Sequence, residues 1–470
     1  MSTQLSTDEK PSSRAIPFIV ASAFFMETLD GTVVNTALPA MAAGFGTTPL
    51  ALSVGITAYL VAMAVFVPAA GWCADRFGAR KVFASAVGVF TLASLLCGVA
   101  PTLTFFVLSR VLQGIAAAFM SPVGRLVVLH ETPKNRLIEA IGTITWPGLI
   151  APVIGPVIGG ALIAVASWRW IFFLNIPLGL AGVVLVLRFI PRRSLPERRP
   201  FDARGFVLTG VALAALIEGL TRLGERTGSQ GSAVALVLLG IACGCLAVLH
   251  AQRTAAPMLS LASLRVRTFF HATLGAGFVS RIAINASPFL LPLMFQIGFG
   301  MTALEAGVMV LVYMGGNLAM KGLTTAILRR FGFRNVLFVN GLLCAAALFA
   351  CGWLAPSIPV SVIYAVLFAA GMTRSMNFTA ITTLAFVDVD GDHRASASAL
   401  ATMLQQVAMV LSVALAASAL SFAKSFHPQV GLLLADFHHV WFVIAALMAF
   451  AALDALRLDR DVGTSTSTAR

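Results

Sequence analysis

Two carboxylates three residues apart interrupt an apolar segment near the start of the chain. Glu27 and Asp30 lie inside an apolar run over residues 16–38. An ionised side chain at the centre of a bilayer costs several kcal/mol, roughly 2.5–3.5 for Asp on insertion scales. Helical spacing places both on nearly the same face, with Glu27 about one turn before Asp30. Carboxylates in such a position can bind and release protons, so the pair is predicted to be a functional site.

The composition defines the surroundings of these carboxylates. The chain has 470 residues, of which 59% are hydrophobic and 11% charged, and its mean hydropathy is +0.92. Soluble domains of this length do not have such a composition. Apolar runs of about 18–25 residues recur, each long enough to cross about 30 Å of hydrocarbon. Because these runs are continuous and do not alternate, they indicate helices rather than barrel strands, and an all-α polytopic membrane protein is predicted.

Polar breaks divide the apolar runs into about fourteen predicted membrane-spanning helices. The basic, proline-rich stretch 191–200 follows the sixth, and a second polar break at 251–267 precedes the ninth. Six, two and six helices fit a protein built from repeated bundles. The predicted organisation is an N-terminal tail (1–15), a six-helix bundle (16–190), a linker with two extra helices (191–267), a second six-helix bundle (268–456) and a C-terminal tail (457–470).

Lysine and arginine are distributed unevenly between the two sides of the predicted helices. With a cytoplasmic N-terminus, 23 of the 32 Lys and Arg fall in cytoplasmic ends and loops, four fall on the other side and five lie within spans. Cytoplasmic loops of membrane proteins carry such an excess. Both termini are therefore predicted to be cytoplasmic. The net charge of +13 is a topology signal, and no nucleic-acid partner is expected.

The position of each charge along its helix gives its depth in the membrane. At 1.5 Å per residue, Asp30 lies about 21 Å above the cytoplasmic boundary, and Arg110 on the fourth span lies at the same height. The two are therefore predicted to be able to pair. Arg281 in the ninth span reaches roughly 20 Å, and its predicted partner is either Asp30 or Glu27 across a central cavity or an anionic substrate. Interface anchoring is the favoured interpretation for three other in-span cations nearer the cytoplasmic ends: Arg125, Lys321 and Arg374.

A short polar motif between the second and third spans is the strongest single pattern in the chain. Residues 71–81, GWCADRFGARK, have the form G-x-x-x-D-R-x-G-x-R-K. This motif resembles the signature loop of the major facilitator superfamily. The glycines are expected to allow a tight turn, and Asp75 is expected to cap a helix or pair with an arginine. The motif residues are Gly71, Asp75, Arg76, Gly78, Arg80 and Lys81.

The second half of the chain carries a degenerate copy of this motif. Residues 325–334 keep Arg330, Gly332 and Arg334, but Arg329 stands where the aspartate would be. A matching charge interaction in the second half is therefore not expected.

Other motifs resemble one branch of that superfamily, the fourteen-helix drug:proton antiporters, and within it the multidrug-resistance group. Residues 110–114, RVLQG, resemble the R-x-x-Q-G motif of proton-coupled members. Residues 29–39, LDGTVVNTALP, resemble the first-span motif, and 168–177 and 201–205 look like its other landmarks. The fifth span carries an antiporter motif that suits a kinked helix closely approached by another: Gly148, Pro152, Gly155, Pro156, Gly159 and Gly160.

The resemblance implies a major-facilitator fold of two six-helix bundles plus two linker helices, in the bacterial inner membrane. It implies proton-driven multidrug efflux by alternating access, without enzymatic activity or a cofactor, by a monomer whose partners are protons, a small molecule and the bilayer. Asp30, together with Glu27, would bind the coupling proton, and Arg110 would hold the carboxylate charged until a proton or substrate competes. The fifth span would shape the gate. The predicted substrate-cavity residues are Asn35, Gln113, Arg281 and Asn285.

Two alternatives to drug efflux stay open. The first is export of an organic anion or its metal chelate, such as a citrate-like metabolite, because five in-span cations face few deep carboxylates. The second is a membrane-embedded enzyme or sensor, for which the sequence offers no intramembrane His/Asp cluster or Ser/His pair. The chain also lacks a G-x-x-x-x-G-K-[ST] loop, so a proton gradient rather than ATP is the predicted energy source. The six cysteines are expected to be small buried hydrophobes rather than metal ligands.

Overall fold

The computed structural model describes residues 12–459, except 134–135, 193–199, 226–229, 255–256, 391–393 and 428. Most of the two predicted tails and of the basic linker lies outside these residues. The described residues form helices and no strand, so the all-α prediction is confirmed. The α-helices are α1 (Ser12–Gly44), α2 (Pro49–Phe66), α3 (Ala69–Phe77), α4 (Ala79–Val99), α5 (Leu103–Glu131), α6 (Leu137–Val165), α7 (Trp170–Phe173), α8 (Asn175–Phe189), α9 (Ala203–Glu225), α10 (Gln230–Arg253), α11 (Arg267–Thr273), α12 (Ala276–Leu293), α13 (Ala303–Cys351), α14 (Val360–Leu384), α15 (Arg394–Lys424) and α16 (Leu434–Asp454).

The number of membrane spans agrees with the prediction from polar breaks. Within the described part of the chain, twelve helical segments are long and apolar enough to cross a bilayer. One of them, α13, has 49 residues and is broken at Gly332, where the backbone leaves the helical conformation, so it forms two spans. The 25-residue α14, which packs along α13, is not among those twelve segments, and counting it as a span brings the total to fourteen.

Threonine caps start three of the helices on one side of the bundle. Thr48 accepts a hydrogen bond from the Ala51 amide at the start of α2, and Thr102 accepts one from the Phe105 amide at the start of α5. Thr302 forms a capping box with Glu305 at the start of α13. These side chains satisfy backbone donors that the first helical turn leaves unpaired.

The helices group into two halves and an intervening pair. Helices α1–α8 pack mainly on one another and are called the N-terminal half, and α11–α16 form the C-terminal half. The pair α9 and α10 packs on itself, and α9 also contacts α2 of one half and α15 of the other. We propose domain boundaries at the positions predicted from the sequence: 16–190, 191–267 and 268–456.

The two halves approach each other closely at one end of the bundle. The end at which α1 begins is called the N-terminal face, and the end at which α1 finishes is the opposite face. A Cβ at Gly160 of α6 would lie 2.5 Å from the carbonyl oxygen of Ala303. One at Gly307 would lie 2.5 Å from the carbonyl oxygen of Pro156. Glycine at these positions lets α6 and α13 pack backbone to backbone near the opposite face.

Asp202 fixes the start of the intervening helix pair. Its carboxylate accepts hydrogen bonds from the backbone amides of Gly205 and Met258, and His250 Nε2 of α10 lies 2.7 Å from Oδ1. Burial opposes ionisation, but these hydrogen bonds outweigh it and hold the pKa of Asp202 below its ordinary value. One charged side chain therefore joins the start of α9, the end of α10 and the segment that follows.

Replacing Asp202 by Ala should destabilise this helix pair. The change removes a helix cap, which typically costs about 1 kcal/mol, and releases His250. Thermal unfolding of the purified protein, followed by tryptophan fluorescence, should show a lower midpoint. Glu218→Ala is the matched control on α9, because it breaks only a half-exposed pair with Arg222. Equal midpoints for the two variants would contradict a stabilising role for Asp202.

Candidate functional site

Asp30 and Arg110 form a buried ion pair inside the N-terminal half. Arg110 of α5 donates to Asp30 Oδ2 of α1 at 2.7 Å, and both side chains are at most 1% exposed. The pairing predicted from their depths is therefore present. Both charges have lost their hydration, so each depends on the other and on nearby polar groups for compensation.

Neutral side chains complete the surroundings of this ion pair. Gln113 donates to Asp30 Oδ1 at 3.0 Å and accepts from Arg110 at 2.6 Å. Asn175 of α8 donates to the same Asp30 oxygen at 3.0 Å. The Ser94 hydroxyl of α4 accepts from both amides, at 2.8 Å from Gln113 and 3.3 Å from Asn175. The network joins α1, α4, α5 and α8 and provides hydrogen-bond donors to both oxygens of Asp30.

An aromatic ring covers the arginine. The Arg110 guanidinium carbon lies 4.2 Å from the centroid of the Tyr59 ring, a distance at which the ring face attracts a cation. Tyr59 is itself buried on α2. The network therefore also contacts α2, and in this conformation it is sealed from solvent.

The sequence predicted part of this network. Gln113, predicted to line the substrate cavity, is completely buried among N-terminal helices in this conformation, and its role in a cavity stays a prediction. Its amide is needed inside the bundle because an ion pair leaves lone pairs that neutral donors must satisfy. Asn175 lies in the tryptophan-rich stretch 168–177, which gave no indication of this contact. Ser94 carried no sequence signal.

Glu27 lies apart from the ion pair. Ser121 donates to Glu27 Oε2 at 2.8 Å, and Glu27 is 8% exposed. Among the described residues this is its one hydrogen bond, and it forms no ion pair within 4 Å. It lies one helical turn closer to the N-terminal face than Asp30. Glu27 is therefore a carboxylate with far less compensation for its charge than Asp30.

The small residues of the fifth span lie against α1 and α13. A Cβ at Gly155 would collide with the Thr32 hydroxyl, and one at Gly159 would lie 2.8 Å from Val33 Cγ1. Gly160 abuts α13, whereas a Cβ at Gly148 would meet nothing within 4 Å. The proline members of the motif, Pro152 and Pro156, lie within the same continuous helix, with Pro156 buried and Pro152 half-buried. The motif thus provides close helix contacts from Gly155 onward, and not at Gly148.

The signature motif is mostly helical. Gly71 lies inside α3, so the predicted role of Gly71 in a turn is wrong, and the turn is made by Gly78 alone, with φ at 90°. The predicted capping or pairing by Asp75 is also wrong: α4 begins without a side-chain cap, and Asp75 is exposed without an ion pair in the described part of the chain. Arg80 donates to the carbonyl oxygen of Leu187 at the end of α8.

The motif borders a cavity at the N-terminal face with both charged and apolar lining residues. Its volume is about 760 Å³, and Asp75, Arg80, Lys81, His130 and Glu131 are among its lining residues. Arg76, also in the motif, is half-buried at the end of α3.

The degenerate copy of the motif keeps the same backbone turn. Gly332 has φ at 74°, comparable to 90° at Gly78. Glycine is favoured at both turns because a Cβ is strained at positive φ. The copy has therefore lost the aspartate but not the turn.

The remaining predicted cavity residues lie in different environments. Asn35 is 9% exposed and its Oδ1 has no hydrogen-bond partner within the described structure. Asn285 of α12 accepts from Arg374 at 3.3 Å. Arg281 donates to Gln405 and Thr382, at 3.1 and 3.3 Å. The predicted pairing of Arg281 with Asp30 or Glu27 is therefore wrong for this conformation, because equal depth does not bring side chains of opposite halves together.

The described part of the chain contains no candidate metal site. No group of three or more His, Cys, Asp or Glu within the described residues could hold a metal ion. Of the six free cysteines, Cys97, Cys344 and Cys351 are buried, whereas Cys245 is exposed.

The helical bundle and its buried intramembrane charges define a multi-pass membrane transport protein. Residues 20–413 match the model of the Major Facilitator Superfamily. The chain therefore belongs to the Major Facilitator Superfamily. Proteins of this family are transporters rather than enzymes and need no cofactor.

Similar proteins of known sequence come from enterobacteria. The "Putative multidrug resistance protein MdtD" of Escherichia coli O6:H1 (strain CFT073) is 37% identical over 99% of this chain and 98% of its own length. The protein of the same name from Klebsiella pneumoniae (strain 342) is 38% identical over 98% of each chain. Such relatives and the many apolar helices indicate a multi-pass protein of the bacterial inner membrane.

Solved structures share the fold at low sequence identity. A D-xylose-proton symporter superposes with a TM-score of 0.67 at 14% identity, covering 96% of this chain and 99% of that one. A bacterial homologue of the lysosomal transporter Spinster, in an inward-facing conformation, gives 0.64 at 15% identity, covering 96% and 97%. These likenesses establish the major-facilitator fold.

Replacing Gly155 by Leu should stall transport without preventing insertion. A side chain at this position would displace α1 from α6 at Thr32, and α1 carries both deep carboxylates. Gly148→Leu is the matched control, because it adds the same side chain to the same helix where nothing lies within 4 Å. Transport by reconstituted protein should fall at least about tenfold for Gly155→Leu and stay near the parent rate for Gly148→Leu. Equal rates for the two variants would mean that the Gly155 contact is ordinary packing.

Proposed function

We propose that the protein exports small molecules from the cytoplasm by alternating access, driven by proton uptake. The observation that carries this proposal is the arrangement of α1. Within about two turns, this one helix bears Glu27 and Asp30 and then the contacts of Thr32 and Val33 with the glycines of α6. A change in the charge of Asp30 therefore acts on a helix that packs against α6, and α6 packs in turn on α13 of the other half.

The contacts between the halves support an assignment of the conformation. The main chain of Thr36 on α1 accepts a hydrogen bond from Gln296 of the C-terminal half at 2.9 Å. Together with the packing of α6 on α13, this contact closes the opposite face. The distribution of Lys and Arg supports a cytoplasmic N-terminal face. On that orientation the structure is an inward-facing state.

The inward-facing state is the one in which a proton carried inward must be released. Asp30, held by Arg110 and two amides, corresponds to the carboxylate after release. Glu27 lies one turn closer to the cytoplasm and is slightly exposed, so it suits a relay that passes the proton on. In the outward-facing state, protonation of Asp30 would remove its negative charge and free Arg110, which favours rearrangement of α1 and α5.

The cargo is a small molecule, and two classes are candidates. The names of the relatives favour multidrug efflux. A cluster of cations in the C-terminal half favours an organic anion instead.

Asp30→Asn should abolish proton-driven transport. Everted membrane vesicles acidified inside report antiport as a loss of the pH gradient when a transported compound is added, and ethidium and benzene-1,3-dicarboxylate are suitable cation and anion probes. We expect the parent to dissipate the gradient with at least one probe and Asp30→Asn with neither. Glu27→Gln should slow the response about tenfold, because a relay can be bypassed by water. Glu139→Gln, an exposed carboxylate on α6, is the control.

A folding defect must be separated from a coupling defect. Removing one partner of a buried ion pair costs about 3–5 kcal/mol, so Asp30→Asn leaves Arg110 uncompensated. The double variant Asp30→Asn with Arg110→Gln removes both charges and should recover thermal stability but not proton coupling. Proton-coupled transport at the parent rate by either variant would rule out Asp30 as the proton site.

A further inference from the structure

Three cations of the C-terminal half have only neutral partners. Arg281 of α12 donates to Gln405 and Thr382. Lys321 of α13 donates to the Thr379 hydroxyl at 2.9 Å. No ion pair within 4 Å involves either cation in the described part of the chain. The third cation, Arg374, has equally neutral partners.

Arg374 lies on α14 and is the last of the three cations in chain order. Its Nε donates to the carbonyl oxygen of Ile284 at 3.2 Å, and its Nη2 donates to Asn285 Oδ1 at 3.3 Å. It is ten residues from the end of α14, or about 15 Å at helical rise, which is too deep for simple anchoring at the membrane surface. The interface-anchoring interpretation of Arg374 and Lys321 is therefore not supported by their contacts inside the bundle.

The three cations form one cluster around Phe378. The Arg281 guanidinium carbon lies 5.5 Å from the centroid of the Phe378 ring, and Lys321 Nζ lies 5.6 Å from it. Arg374 precedes Phe378 by one helical turn, on the same face of α14. Asn285, which accepts from Arg374, follows Arg281 by one turn. We call Arg281, Lys321 and Arg374 the cation cluster.

The cluster lacks the counter-charge that the N-terminal half provides for Arg110. Helices α12–α15 contain one carboxylate, Glu305, and it lies in the first turn of α13 at the opposite face. An uncompensated charge in a low-dielectric interior costs several kcal/mol. Cation–π contacts with one phenylalanine offset only a small part of this cost.

The exposure of the cluster indicates an interior space rather than lipid. Lys321, Arg374 and Phe378 are partly accessible, whereas Arg281 is 4% exposed. Charged side chains at this depth do not face hydrocarbon, and they face a cavity or bundle interior instead. The partly accessible cations therefore border a space that a solute can occupy.

We propose that the cation cluster is the binding site for the cargo, a small organic anion with two or more carboxylate-type groups. The inference rests on the proposed export function and names its substrate class. Two anionic groups can engage cations on different helices, and bidentate arginine contacts suit the planar carboxylate. The Phe378 ring between Arg281 and Lys321 provides an apolar surface for the carbon skeleton.

Binding of three ring compounds of similar size tests this site. The probes are benzene-1,3-dicarboxylate, its neutral diamide, and benzamidine as a cation, titrated by calorimetry into the full chain in lipid nanodiscs without a pH gradient. We expect the parent to bind the dicarboxylate at least tenfold tighter than the diamide or benzamidine. Arg281→Gln and Arg374→Gln should each weaken dicarboxylate binding about tenfold or more while leaving diamide binding unchanged. Lys321→Gln should have a smaller effect in the same direction.

Two controls separate this proposal from others. Arg222→Gln removes a half-exposed arginine of α9 that pairs with Glu218, and it should bind the dicarboxylate like the parent. Asp30→Asn with Arg110→Gln should also keep anion selectivity, so a failure of proton coupling leaves the binding result intact. A parent that does not prefer the dicarboxylate, by binding all probes equally, by binding none or by favouring benzamidine, overturns the proposal. Unchanged dicarboxylate binding in the Arg281 and Arg374 variants overturns it as well.

Discussion

The need to compensate an ionised group in hydrocarbon organises this protein. In the N-terminal half, Arg110 and Asp30 compensate each other, and amides from two further positions satisfy the remaining carboxylate lone pairs. In the C-terminal half, Arg281 has no carboxylate partner among the described residues and relies on neutral oxygens. The two halves share a fold but not a charge balance. The charges in the N-terminal half are balanced without a ligand. Those in the C-terminal half would be balanced best by an anionic ligand.

The compensation of the Asp30 charge and the rearrangement of the helices are connected through α1. Asp30 holds α1 to α5, α4 and α8 through the buried network, while Thr32 and Val33 hold it to α6 through glycines. Both sets of contacts lie within about one turn. Any rearrangement that breaks the Asp30 network must therefore also shift the α6 contact, and α6 packs in turn on α13 of the other half. The buried charge of Asp30 and the packing against α6 are therefore carried by the same turn of α1.

Much of the fold and one central contact could be predicted from the sequence, because they depend on quantities that are regular along a helix. Apolar run lengths predicted the spans, and the constant rise per residue placed Asp30 and Arg110 at one depth. The rest depends on rotation about each helix axis and on neutral partners. Depth alone could not exclude a contact of Arg281 with Asp30. Asn175 and Ser94 are uncharged, so nothing in the sequence singled them out. Asp75 matched the signature motif, but in this conformation it forms neither the cap nor the ion pair expected from that motif.

The one-residue turns at Gly78 and Gly332 have a mechanical consequence. With a single residue between two helices, the end of one helix lies directly beside the start of the next. A tilt of the first part of α13, which carries Lys321, is passed directly to the part beyond Gly332. The same holds for α3 and α4 across Gly78, and α4 carries Ser94 of the buried network. In both halves, a helix that bears a polar group inside the bundle is thus joined to its neighbour through one glycine. Ser94 and Lys321 are these groups, and Gly78 and Gly332 are the connecting residues.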